Sequence, residues 1–338
     1  MPLLVFVLCV LTMPVQVNSQ VKPVPTNPDE ILREATAVNG LESSSASPLY
    51  IAVSYDVFDE DGDNVRSGTF EEFYVGPREY RQIYKSATFN QIDIATETGL
   101  YRSGDQRWPD AVEYEVRSKV LRPLYQVSGG GSEVRLEKTE AKFGNVDLPC
   151  VALRSTNKNH IALADPTFCF QPSTLMVRYV QAGVSQRTIY NDYVRLRDRY
   201  IARDINVARY DGKPLLKIRV DDVGELAEVD YSLFSPDQDS VGPIGGRIVL
   251  PSSVYMDEYR VADSMPVFPR GVVGKVNVKF VVGKDGRVIE ASASDGPERL
   301  QKAVLEAVRK YRFRPYLVLD QPVEVETGTS FSYYERSR

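Results

Sequence analysis

Between Gly274 and Val282 the chain alternates apolar and polar residues with a period of two, setting Val276, Val278, Phe280 and Val282 against Lys275, Asn277 and Lys279. That period predicts a strand with one buried face, because successive side chains leave a pleated backbone on opposite sides. Lys284-Asp285-Gly286 follows, and Asp-Gly takes the positive-φ positions of a tight hairpin, so Arg287 to Ser294 returns as a second strand. Asp295-Gly296-Pro297-Glu298 then opens a helix, with Pro297 in the first turn, where its missing N–H costs nothing, and Glu298 near the positive end of the dipole. Leu300, Ala303, Val304, Ala307, Val308 and Tyr311 give this helix one apolar stripe. Pro315 stops it, and Val323 to Tyr333 reads as a third strand with Val323, Val325, Thr327, Thr329 and Phe331 on one side. These elements predict a ββαβ unit, a three-stranded antiparallel sheet with one helix.

The signals Pro266-Val267-Phe268-Pro269, Gly274 to Val282, Asp285 to Val288, Ala307 to Pro315 and the aromatic Phe331 occur in a fixed order. From about Met265 to Tyr334 this set resembles the TonB C-terminal domain. The resemblance implies a protein-binding module that takes up a short extended segment of an outer-membrane receptor as an added strand. Carried over to the final strand, the partner-binding positions are Val323, Val325, Thr327, Thr329 and Phe331. An unpaired strand edge is a template for such pairing, although charged residues such as Glu324 and Glu326 also blunt edges. Arg309, Lys310, Arg312 and Arg314 cluster at the helix end, where they complement the dipole. They are also a candidate charged patch for an acidic partner or peptidoglycan.

At 338 residues the chain is long enough for about two domains. Pro2 to Val17 is apolar except for Thr12 and Gln16, and Val17-Asn18-Ser19 suits cleavage between Ser19 and Gln20 by signal peptidase. Residues 1–19 are therefore expected to be a signal peptide for export to the periplasm. Retention as an inner-membrane anchor is the alternative, disfavoured by the short span and the internal Pro14. Export leaves Cys150 and Cys169, and an even pair in an oxidising compartment favours a disulfide. A Cys-His-Cys metal set with His160, the only histidine, is the competing reading.

Residues 20–48 read as a helix and a polar lead, since Asn27-Pro28-Asp29-Glu30 supplies an N-cap, a first-turn proline and a capping glutamate. From Leu49 short alternating strands run to about Ser235, interrupted by a helix after Trp108-Pro109-Asp110. This region, residues 49–235, loosely resembles periplasmic domains of the LolA type, in which a curved sheet folds round a helix. Residues 236–264 have the Gly, Pro, Ser and Asp content of a linker, and residues 265–338 form the C-terminal unit. The fold class expected from this order is α+β: an N-terminal, mainly antiparallel β domain with one or two helices, plus the small ββαβ unit.

Catalytic constellations are scarce. A Ser-His-Asp set would need His160, with Asp165 close only in sequence, and the adjacent carboxylates Asp221 and Asp222 point to opposite faces of a strand. The acidic turn Asp59 to Asn64 lacks the helices and the twelfth-position glutamate of an EF-hand. Ser128 to Ser132 lacks the Lys-Ser/Thr of a phosphate loop. No cofactor, metal or enzymatic activity is expected. The net charge of −5 argues against nucleic acid, although from Met265 onward 13 Lys and Arg outnumber 9 Asp and Glu. The sequence thus points to a periplasmic module that binds an envelope protein in or beside energy-coupled outer-membrane transport. The alternative is a soluble carrier or scaffold whose β-rich domain holds a lipid or other apolar ligand.

Overall fold

The computed structural model describes residues 24–41, 48–76, 78–109, 111–124, 134–155, 166–182, 186–244, 246–250, 256, 259–269, 271–318 and 321–333. The expected signal segment with Ser19 and Gln20, together with His160 and Asp165, lies outside them. Helix α1 (Pro28–Val38) precedes β1 (Leu49–Phe58), β2 (Asn64–Gly76), β3 (Glu79–Ser86), β4 (Asn90–Thr96) and β5 (Gly99–Gly104). Helix α2 (Ala111–Leu121) leads into β6 (Val134–Phe143), β7 (Val146–Ser155), β8 (Thr167–Phe170), β9 (Val177–Ala182), β10 (Gln186–Leu196), β11 (Arg199–Arg209) and β12 (Pro214–Glu225).

These twelve strands form one antiparallel sheet in the order β5-β4-β3-β2-β1-β12-β11-β10-β9-β8-β7-β6. The chain meanders outward from β1 to one edge, crosses through α2, and meanders back from the opposite edge until β12 pairs with β1. Alternation decides which face is covered. Leu49, Ile51, Val53 and Tyr55 of β1 and Leu216, Ile218 and Val220 of β12 are buried, while Lys217 and Arg219 turn outward. Against the buried face pack Ile31, Leu32 and Ala35 of α1 and Val116, Val120 and Leu121 of α2. Asn27 caps α1 as its sequence predicts, accepting the Asp29 N–H at 2.9 Å.

The C-terminal unit contains β13 (Arg247–Val249), β14 (Arg260–Ala262), β15 (Gly274–Val282), β16 (Val288–Ser294), α3 (Glu298–Val308), β17 (Arg312–Phe313), β18 (Leu317–Val318), β19 (Gln321–Pro322) and β20 (Glu324–Tyr333). Leu300, Val304 and Val308 of α3 pack on Val276, Val278, Phe280 and Val282 of β15. Pro297 precedes the helix rather than entering its first turn, its carbonyl accepting the N–H groups of Leu300 and Gln301. The Asp285-Gly286 turn joins β15 to β16. Gly286 has φ +80°, and a Cβ there would lie 1.9 Å from the Phe313 carbonyl oxygen, so this turn accepts glycine alone.

The α+β expectation is corrected here: the chain is mainly β. Among the described residues the three long α-helices have eleven residues each, while strands supply a twelve-stranded sheet and a second sheet of four. The second sheet, expected with three strands, has the order β13-β20-β15-β16. Its extra member comes from the Gly- and Pro-rich stretch between the units. Composition marks such a stretch as irregular, yet Ile248 and Leu250 within it are buried in the small core. Burying two such side chains favours docking by about 3–6 kcal/mol, enough to order a short segment beside an unpaired strand.

Cys150 and Cys169 are cross-strand neighbours on β7 and β8 and form a disulfide across a sequence separation of 19. Both thiols are thereby consumed, which closes the metal-binding alternative. Exchanging both for alanine is expected to lower stability by about 3 kcal/mol, from the loop released in the unfolded chain, read as a lower urea midpoint. Burial beside Phe70 and Phe89 pushes the Tyr84 phenol well above its ordinary 10.0, the Glu72 carboxylate adding to the shift and Arg117 opposing it. Its contribution to stability is therefore complete below pH 10 and declines as pH rises beyond it. Burial raises the Tyr80 and Tyr193 phenols as well, so alkaline titration should show a delayed phenolate absorbance step that coincides with unfolding and loses amplitude in Tyr84→Phe.

Candidate functional site

The outer side of β20 is where the structure leaves backbone groups available. On its inner side β20 pairs antiparallel with β15, in the register Val282↔Val325, Phe280↔Thr327, Val278↔Thr329 and Val276↔Phe331. On its outer side, among the described residues, the parallel strand β13 covers Glu324, Val325 and Glu326. The Glu324 N–H donates to the Gly246 carbonyl at 3.2 Å, and the Leu250 N–H to the Glu326 carbonyl at 2.8 Å. Glu324 and Glu326 thus direct their backbone groups outward. Because backbone direction alternates along a strand, Gly328, Ser330 and Ser332 direct theirs outward too, past the end of β13.

This geometry sorts the residues singled out from sequence. Val323, Val325 and Thr327 are buried, and Thr329 and Phe331 are half-buried on the same face. From Val325 on, that set spends its backbone groups on β15, so its side chains and its main chain both serve the fold. The pattern that signalled a strand marked its core face. The open edge belongs to the intervening residues, which a period-two reading dismisses as the solvent side. Their smallness was the available signal, since Gly328, Ser330 and Ser332 offer little to blunt an edge, whereas β6 carries Arg135, Glu137, Lys138, Glu140 and Lys142 along its edge.

Of the basic cluster, Arg309 and Lys310 are exposed just after α3, and Arg312 turns back to donate to the carbonyls of Arg309 and Tyr311 at 3.3 and 2.7 Å. Arg314 lies 5.8 Å from the Tyr259 ring. Arg312 therefore caps the helix end. On the solvent face of the sheet Arg247 pairs with Glu290 at 2.7 Å and with Glu324 at 3.0 Å, tying β13 to β16 and β20. Near the far end of β20, Phe268 stacks on Tyr333 with centroids 4.6 Å apart. Residues 269–334 match the family described as Gram-negative bacterial TonB protein C-terminal.

The TonB-like unit is one part of a longer chain, and solved structures align with larger shares of that chain. A LolA superfamily protein from Nitrosomonas europaea aligns over 62% of this chain and 98% of its own, at 8% identity and a TM-score of 0.42. A DUF1329 family protein from Desulfovibrio piger covers 63% and 97%, at 10% identity and a TM-score of 0.40. The MucA/MucB complex of Pseudomonas aeruginosa covers 86% and 99%, at 9% identity and a TM-score of 0.30. No curated protein sequence matches the chain.

The TonB-like unit meets the larger sheet at a charged joint. Arg102 on β5 and Asp93 on β4 form a bidentate pair with both contacts at 2.7 Å, and each is almost wholly buried. The Arg102 guanidinium lies 4.4 Å from the Trp108 ring, and Trp108 in turn packs on the TonB-like core. A cleft of about 410 Å³ here is lined by Arg102, Arg107, Trp108, Ile244, Arg247 and Ile248. Beside it, Glu72 accepts from Arg117 of α2 and from Gln82. Among the described residues, no group of three or more His, Cys, Asp or Glu could hold a metal ion. In the acidic turn, Asp59 Oδ1 is taken by the N–H groups of Asp61, Gly62 and Asp63, an ordinary hairpin lock. Asp93→Ala is expected to cost about 3–5 kcal/mol by stranding the buried Arg102 charge. Chemical unfolding of this variant beside Glu97→Ala, an exposed residue of the β4–β5 turn expected to change little, measures the difference.

Proposed function

We propose that the TonB-like unit binds a protein of the Gram-negative envelope by taking up an extended segment as a strand on the outer edge of β20. The observation that carries this reading is the set of outward backbone groups at Gly328, Ser330 and Ser332, without a partner among the described residues, in a region that matches the TonB C-terminal family. A strand added there gains main-chain hydrogen bonds from the edge, and side-chain contacts supply its specificity. The setting that the family match supports is the periplasm, in or beside energy-coupled transport at the outer membrane, and the role is binding rather than catalysis. Among the described residues no helix is long and apolar enough to cross a membrane. The carrier alternative is not favoured by the core: α1 and α2 pack Ile31, Leu32, Ala35, Val116 and Val120 on the apolar face that a lipid would need.

The edge assignment changes which substitution tests it. Val325→Pro would remove an N–H used by β15 and disrupt the sheet itself. Ser330→Pro removes an outward N–H, a position where edge strands tolerate proline. With the full chain as bait in envelope extract, Ser330→Pro should lose a specifically captured protein at least tenfold at unchanged unfolding midpoint. Ser330→Ala keeps the N–H and should retain capture. Equal capture by wild type and Ser330→Pro would rule out strand addition at this edge.

A further inference from the structure

The outward edge of β20 has five residues in line, and this chain already occupies two of them. β13 takes the backbone groups of Glu324 and Glu326, while among the described residues nothing pairs with those of Gly328, Ser330 and Ser332. A strand added at the open part runs into the end of β13 after three outward residues. It lengthens further only by taking β13's place. We infer that residues 246–250 are a displaceable internal cap on the partner edge, a built-in competitor that a longer extended segment must replace. The inference rests on strand addition at β20 as proposed above.

Three features make β13 a competitor rather than a fixed strand. Its ladder is only three residues long and parallel, the less stable arrangement per residue, whereas the β15–β20 ladder pairs nine residues antiparallel. Its ion pairs, Arg247 to Glu290 and to Glu324, join partly exposed side chains and contribute little in water. Its upstream flank is fixed elsewhere: Val241 exchanges two backbone hydrogen bonds with Arg102 of β5, and the Ile244 N–H donates to the Leu100 carbonyl at 2.7 Å. A displaced cap therefore remains tethered close by and competes at high effective concentration.

What holds the cap also describes its replacement. Ile248 and Leu250, two residues apart, fill the small core beside Val325. Arg247, on the opposite face, meets Glu290 and Glu324. A segment that displaces β13 must refill both apolar seats with aliphatic side chains at alternate positions and set a cation opposite the two carboxylates. The chemical class is an extended segment of the pattern cation–aliphatic–any–aliphatic, the pattern of Arg247 to Leu250 itself.

Amide hydrogen exchange on the full chain tests the cap without any partner. The Glu324 N–H, bonded to the cap, should exchange at least tenfold faster than the Val278 and Thr329 amides of the β15–β20 ladder, reporting local opening. Exchange as slow as that ladder would overturn the inference and leave strand addition at Gly328, Ser330 and Ser332 standing. In a second measurement, an acetylated and amidated peptide of residues 246–250 is titrated into wild type and into Ile248→Ser/Leu250→Ser. The Glu324 and Glu326 amide resonances are followed. The folded double variant should bind the peptide at least tenfold more tightly than wild type. Equal affinity, or no binding by the folded variant, overturns the cap. Failure of the Ser330→Pro capture experiment with normal exchange behaviour would instead remove the partner while keeping the local opening.

Discussion

Every sheet must dispose of the backbone groups on its outermost strands, and this constraint organises the whole chain. An unpaired N–H or C=O in a dry place is costly, and in a wet place it invites another strand. The large sheet answers on one side with charge, since β6 carries five charged residues along its length. On its other side it answers with chain, because Val241 and Ile244 pair onto β5. The small sheet receives the continuation of that same segment on β20. One short ribbon thus finishes an edge of each sheet, and the part of β20 it does not reach is where the functional reading concentrates.

The joint between the two sheets is polar where a simple two-domain protein would have surface. Arg102 and Asp93 lie buried with their charges matched, and Trp108 passes the contact on to the small core. Such a pair contributes little net stability compared with an apolar replacement, but it tolerates only one geometry, because a misplaced guanidinium leaves a charge unpaired in low dielectric. That intolerance fits a joint whose neighbouring residues, 240–250, must present β13 in register with β20. Helix α2 shares this character, with Glu113 and Lys119 buried beside its apolar residues.

Much of the TonB-like unit was legible in the sequence because its signals are local. Period-two alternation gave β15, Asp285-Gly286 gave the hairpin, and the apolar stripe of Leu300, Val304 and Val308 gave α3. The same holds for α1, whose Asn27-Pro28 start is self-contained. Helix α2 has a narrow apolar stripe of Val112, Val116 and Val120 among charged residues, so Pro109 and Pro123 marked its extent more clearly. The pairing of β13 with β20 was not legible, since Arg247, Ile248 and Val249 are three residues among glycines and prolines. The resemblance, carried over to the final strand, pointed to Val323, Val325, Thr327, Thr329 and Phe331 as binding positions, although from Val325 on the alternation that covers their side chains directs their backbone groups to β15.

By itself the sequence determined the strands, turns and helices whose causes lie within a few residues, together with the identity of each strand's buried face. It also determined that two cysteines would be available to bridge. Tertiary structure decided the rest: that the β-rich region closes into a single twelve-stranded sheet through β1 and β12, and that Cys150 faces Cys169 across β7 and β8. It alone decided which side of β20 is free. Side-chain alternation distinguishes the two faces of a strand, but its two edges differ only in which strand arrives beside each, and that is set by long-range pairing.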